Sequence, residues 1–117
     1  MTVEITQQFT FDAAHRLGVG GPENARIHGH SFYVDVTLRG EPGADGVLRD
    51  FGEIDAVLKE IRAQLDHRML NDVEGLGAPT LENLARFIYA AANARLAEVA
   101  RVKISRPTYG QSCVYEK

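Results

Sequence analysis

The chain has 117 residues, a net charge of −3, 44% hydrophobic residues and 25% charged residues. That length and balance fit one soluble globular domain spanning residues 1–117, and the mild negative charge gives no electrostatic reason to expect nucleic acid as a partner. No apolar stretch is long enough to cross a bilayer, no basic-then-apolar leader opens the chain, and a single cysteine, Cys113, excludes an internal disulfide framework; the expectation is a cytoplasmic protein with no membrane partner.

Val3, Ile5, Phe9 and Phe11 alternate with polar residues, which predicts a strand with one buried face. Gln7 is the one mismatch, and the same parity runs on to Ala13 and His15. Leu17 to Ala25 is rich in glycine and reads as a loop. A second strand follows, in which Phe32, Val34, Val36 and Leu38 share a face with His28 and His30. If the two strands pair antiparallel, the three imidazoles meet at one end of the sheet.

Three neutral nitrogens from His15, His28 and His30 fit a catalytic zinc site, which keeps a fourth position open for water or substrate. Imidazole also suits iron and copper. The plainer alternative is three half-buried histidines satisfied by hydrogen bonds.

Gly40 to Gly46 reads as a turn region. Asp50 and Glu53 resemble a capping box, with Asp50 as N-cap. Phe51, Ile54, Val57, Leu58, Ile61 and Leu65 follow at helical spacing, and this helix is expected to end near Asp66-His67-Arg68. After a loop from Asn71 to Pro79, Thr80 is a good N-cap for a second helix with a stripe of Leu84, Ile88, Ala91, Ala92 and Leu96. Val102 and Ile104 mark a strand limited by Pro107. A short last strand lies near Ser112 to Glu116. The order β-β-α-α-β-β predicts an α+β fold, an antiparallel sheet with two helices on one face. Its two open edges make association of subunits through the sheet an expectation.

Phe11-Asp12-Ala13-Ala14-His15-Arg16, His28-Gly29-His30-Ser31-Phe32, Asp50-Phe51, Leu65-Asp66-His67 with Leu70-Asn71, and Pro79-Thr80-Leu81-Glu82-Asn83-Leu84 together resemble the 6-pyruvoyl-tetrahydropterin and 6-carboxy-tetrahydropterin synthase family. The resemblance implies a tetrahydrobiopterin-synthase-type fold whose subunits join sheets into a barrel, as a trimer or hexamer, with sites between subunits. It implies Zn2+ on His15, His28 and His30, and Asp66 with His67 as an acid/base pair. The implied chemistry is a lyase-type step on a small molecule such as dihydroneopterin triphosphate. Thr80 and Glu82 match residues near the pterin ring.

Two positions depart from the family pattern. Asn24 stands where the family has its catalytic cysteine, and it cannot act as a base. Glu23 beside it is a replacement base or an exposed bystander, and Cys113 reads as a packing residue. Arg106 stands where the family has a glutamate that grips the pterin edge, so a donor replaces an acceptor. It reads either as a solvated strand-end charge or as a group for a carboxylate or phosphate. Plainer readings also exist for His67 as a helix-dipole partner, Thr80 as a cap and Glu82 as a first-turn charge. Three functions stay open: a pterin-type zinc lyase, the same scaffold acting on an anionic substrate in an aldol, dehydration or lyase step, and a non-catalytic metal- or ligand-binding homologue.

Overall fold

The computed structural model describes residues 1–117. Strands β1 (Val3–His15) and β2 (His28–Gly40) form a long antiparallel pair. Helices α1 (Phe51–Leu65) and α2 (Leu81–Asn93) come next, then β3 (Val99–Arg106) and β4 (Gln111–Glu116). All four strands make one sheet in the order β1-β2-β3-β4, antiparallel throughout. Both helices are thus inserted between two neighbouring strands. No helix is long and apolar enough to cross a membrane.

The alternation in β1 and β2 sends Phe11, Ala13, His15, Phe32, Val34, Val36 and Leu38 into the interior. The helices cover that face. From α1 come Ile54, Val57, Leu58, Ile61 and Leu65, and from α2 Leu81, Leu84, Ala85, Ile88, Tyr89 and Ala92. Burying a side chain of this kind stabilises the fold by about 1.5–3 kcal/mol. The Phe11 and Phe32 rings stack at 4.8 Å between centroids and floor the end of the sheet that carries the histidines.

The expected α1 stripe is right except at its start, where Phe51 remains 48% exposed in the first turn. The α2 stripe differs from the expected one: Leu81, Ala85 and Tyr89 are buried too, Ala91 is only partly buried, and Leu96 is buried beyond the end of the helix at Asn93. The Tyr89 hydroxyl donates to the Val99 carbonyl at 3.3 Å, which satisfies the one polar atom of that buried ring.

The capping box at α1 does not form. Asp50 is the N-cap, but its side chain accepts no helix N–H. Glu53 is drawn away by Arg49 at 3.0 Å, and the same guanidinium grips Glu98 at 2.7 and 3.1 Å. Arg49, held by its forked pair with Glu98, offers Glu53 a full opposite charge in place of a backbone N–H. At α2 the cap is as expected, with Asn83 N–H donating to the Thr80 hydroxyl at 3.1 Å.

The exit of α1 is stitched to β1. His67 N–H donates to the Asp12 carbonyl at 2.7 Å, and Ala14 N–H donates to the Arg68 carbonyl at 3.0 Å. Asn71 completes the seam by accepting from Arg16 N–H at 2.9 Å and donating to the Arg16 carbonyl at 3.0 Å. These bonds carry Asp66 and His67 to the strand end that bears the histidines.

Candidate metal centre and cleft

Register places His15 opposite His28 and Ala13 opposite His30. His28 and His30 share a parity, so the three rings converge, with centroids 4.7, 4.9 and 4.8 Å apart. Their nitrogens all lie within 4.8 Å of one another. His15 is 1% exposed.

Two of the tautomers follow from the partners. His15 Nδ1 lies 3.0 Å from the Pro79 carbonyl, and His28 Nδ1 lies 2.7 Å from the Arg26 carbonyl. A carbonyl only accepts, so each Nδ1 carries the hydrogen and each Nε2 presents a lone pair. Those two Nε2 atoms stand 3.1 Å apart. His30 Nε2 is buried with no partner. Bare lone pairs aimed at one point repel unless a cation takes them. Tetrahedral zinc with nitrogens at about 2.0–2.1 Å separates its ligands by roughly 3.4 Å, close to this spacing. The donor set therefore fits a divalent ion, and the Pro79 and Arg26 carbonyls orient two of the ligands from behind.

Burial disfavours the charged form of two of these rings, His15 and His30. It pushes His15 below its usual range, with the His28 and Arg106 charges adding to the effect. His30 is brought down to about 4 by burial first, then by His15, Arg106 and His28. Neutral imidazole is the form that binds metal.

Beside the histidines lies a cleft of about 710 Å³ lined by Asp12, His30, Ser31, His67, Arg106 and Tyr109, among others. A smaller hollow of about 370 Å³ holds Glu23, Asn24, His28, His30 and Arg106. His67 stands at the cleft in a left-handed conformation, φ 58°, that few side chains adopt. Its Nδ1 donates to Asp66 Oδ2 at 2.8 Å. Asp66 Oδ1 accepts from the Asp12 N–H at 3.0 Å. That backbone bond, and then the one from His67, holds the Asp66 carboxyl below the usual carboxylate range. Such a carboxylate can orient an imidazole and stabilise its charged form.

Within one chain, the structure brings His15, His28, His30, Asp66, His67, Glu23, Asn24 and Arg106 to this end of the sheet. Thr80 and Glu82 do not line either hollow. Thr80 caps α2, although its neighbour Pro79 reaches His15 through the carbonyl. Glu82 is exposed and lies close enough to Cys113 for its charge to join burial in raising that thiol. Cys113 packs against the core from β4, opposite Ile104. Asn24 ties the loop together by donating to the Val19 carbonyl at 3.0 Å.

Sequence reasoning overlooked three groups. Ser31 donates to Asp12 Oδ1 at 2.5 Å, a pair that strand register predicts once His15 is set opposite His28. The Tyr109 ring meets His30 edge-on at 5.2 Å, and no local pattern announces it. The Pro79 carbonyl is a backbone group and carries no signature in residue type.

The family described as 6-pyruvoyl tetrahydropterin synthase matches residues 4–117. A Synechocystis protein named 6-carboxy-5,6,7,8-tetrahydropterin synthase is 38% identical over 92 residues, 74% of this chain and 71% of that one. A Pyrococcus furiosus protein named dihydroneopterin monophosphate aldolase is 35% identical over 88 residues, 75% of this chain and 73% of that one. The solved structure of Caenorhabditis elegans 6-pyruvoyl tetrahydropterin synthase superposes with a TM-score of 0.88 at 22% identity, covering 100% of this chain and 96% of that one. With the ββααββ sheet, the histidine triad and the Asp-His pair in place, this match along nearly the whole length settles the family: the chain belongs to the 6-pyruvoyl tetrahydropterin synthase family.

Proposed function

We propose that the chain is a zinc-dependent lyase-type enzyme that acts on a phosphorylated dihydroneopterin. The observation that carries this reading is the pair of bare Nε2 atoms of His15 and His28, 3.1 Å apart beside the orphaned Nε2 of His30, at the edge of the cleft that holds His67. His15, His28 and His30 would hold the ion. When bound, zinc supplies a Lewis acid that polarises a substrate oxygen and so acidifies the neighbouring C–H or O–H. His67 takes and returns that proton through the nitrogen that Asp66 leaves free. Asp66 keeps the ring turned and stabilises it when charged. Asp12 binds the other oxygen of Asp66 and so fixes the carboxylate. Glu23, the one carboxylate lining the smaller hollow, takes the second proton-transfer role.

A second reading within this class is favoured by Asn24. With no thiol at that position, a retro-aldol step asks less of the site than a synthase rearrangement. One base takes a hydroxyl proton, the adjacent C–C bond breaks, and the carbon left behind is protonated. The aldolase name of the Pyrococcus furiosus relative supports this version. Self-association as a trimer or hexamer through the free edges of β1 and β4 belongs to the same proposal, and multi-angle light scattering tests it.

The deciding experiment incubates zinc-loaded protein with dihydroneopterin triphosphate and, separately, the monophosphate, with products identified by mass spectrometry. Zinc-dependent carbon-chain cleavage or rearrangement, abolished by His67→Ala at unchanged zinc content, is the expected result. Turnover of neither compound sinks the reading.

A further inference from the structure

Arg106 is the last residue of β3, and Pro107 follows it. The proline ring keeps the residue before it out of the helical region, and Arg106 sits at φ −115°, ψ 85°. From there its half-buried side chain enters the space between the two hollows and lines both. Its Nε is buried and finds no partner. Arg106 makes no ion pair within the chain.

The charge balance around it is one-sided. Arg106 lines both hollows together with His30. Arg68 adds a second cation to the larger cleft. The only carboxylates lining the hollows are Asp12, whose Oδ1 already accepts the Ser31 hydroxyl, and Glu23. A divalent ion on the histidines would add two more positive charges. A guanidinium with a buried, unpaired N–H in such surroundings is costly until an anion meets it. Thr108 and Tyr109, from the turn after Pro107, line the same cleft and add hydroxyl donors.

We propose that Arg106 is the docking point for an oxyanion carried by the substrate, a phosphate or a carboxylate, received where the two hollows meet beside the three histidines. The planar fork of a guanidinium matches either group with two parallel hydrogen bonds. The same fork rejects the amine-rich edge of a pterin, because donors would face donors. This residue reads the charged tail of the substrate and not its ring. The proposal rests on the reading above for where the reaction occurs, but the Arg106 contact itself stands without a metal.

Calorimetric titration of inorganic phosphate, and separately of pyruvate, into the full chain tests it. Both EDTA-treated and zinc-loaded protein are used, with wild type, Arg106→Gln and Arg106→Lys. Arg106→Gln is expected to weaken at least one probe by about tenfold or more in both metal states, with Arg106→Lys in between. The probe that suffers more identifies the source of the oxyanion. Arg106→Glu is expected to abolish that binding and to tighten neopterin, a pterin with no charged tail. Unchanged affinity for both probes in Arg106→Gln overturns the proposal and means that the guanidinium is used elsewhere, as by a second copy of the chain. Absence of binding to the wild type overturns it too. If zinc fails to bind while Arg106-dependent phosphate binding persists, the metal reading falls and this one stands. If pterin turnover and probe affinity both survive Arg106→Gln, the reverse holds.

Discussion

Asp12 and Asp66, fifty-four positions apart, are joined through the Asp12 N–H and Asp66 Oδ1 at 3.0 Å. The bond spends one carboxylate oxygen on the backbone of β1 and leaves the other for His67. Asp66→Asn keeps the size of the side chain but offers one acceptor oxygen in place of two. The variant is expected to fold normally and to lose about 10²–10⁴-fold in turnover. Nitrogen-15 NMR of His67 should show the imidazole no longer held with its hydrogen on Nδ1. Full turnover with an unchanged ring spectrum would remove Asp66 from its positioning role.

The conformation of His67 has its own consequence. A non-glycine residue at φ 58° costs of order 1–2 kcal/mol. His67→Gly is expected to be more stable than His67→Ala by about 1 kcal/mol in urea unfolding, while both are inactive. The ring is 78% exposed, so neither substitution empties the core. Equal stability of the two variants would mean that the backbone relaxes once the imidazole is gone.

Removal of the metal should destabilise the fold. An ion present at about a thousand times its dissociation constant contributes roughly 4 kcal/mol. EDTA-treated protein should therefore melt several degrees lower, and stoichiometric zinc should restore the melting point. His28→Ala should bind less than one zinc per chain by elemental analysis and should gain nothing from added zinc. The melting curve is the check that does not depend on activity.

Acid sensitivity has a source far from the cleft. Glu4 on β1 is brought down from 4.5 to about 2, chiefly by its hydrogen bonds from Arg101 on β3. Arg101 reaches it at 2.7 and 2.9 Å, across β2. A carboxyl depressed on folding stabilises the native state above its unfolded pKa, and that contribution is lost as pH falls through the folded value. Between pH 4.5 and about 2, wild type should lose stability more steeply than Glu4→Gln. Circular dichroism along an acid titration reads the difference, and parallel curves would refute the assignment.

Much of this site is legible in residue order. Strand parity alone puts His28 and His30 on one face and leads from Phe11 through Ala13 to His15, because side chains alternate with a period of two and burial enforces the register. Helix periodicity likewise marks Ile54 to Leu65 and the core stripe of α2. The α1 capping box misled because Glu53 had a stronger partner in Arg49, itself anchored by Glu98, forty-nine positions away from Arg49.

By itself, the order of residues determined the α+β layout and the placing of three imidazoles at one end of the sheet, while the Asp-His pair and the arginine in place of an expected acceptor came from the resemblance to a family. Tertiary structure alone decided that the Pro79 carbonyl orients His15, that Asp12 fixes Asp66, that His67 adopts a left-handed backbone, and that Thr80 and Glu82 stand away from the cleft of a single chain. The difference has one physical cause. Periodicity is a local property that burial makes visible, whereas a hydrogen bond between β1 and a loop fifty or sixty residues later depends on how the intervening helices pack.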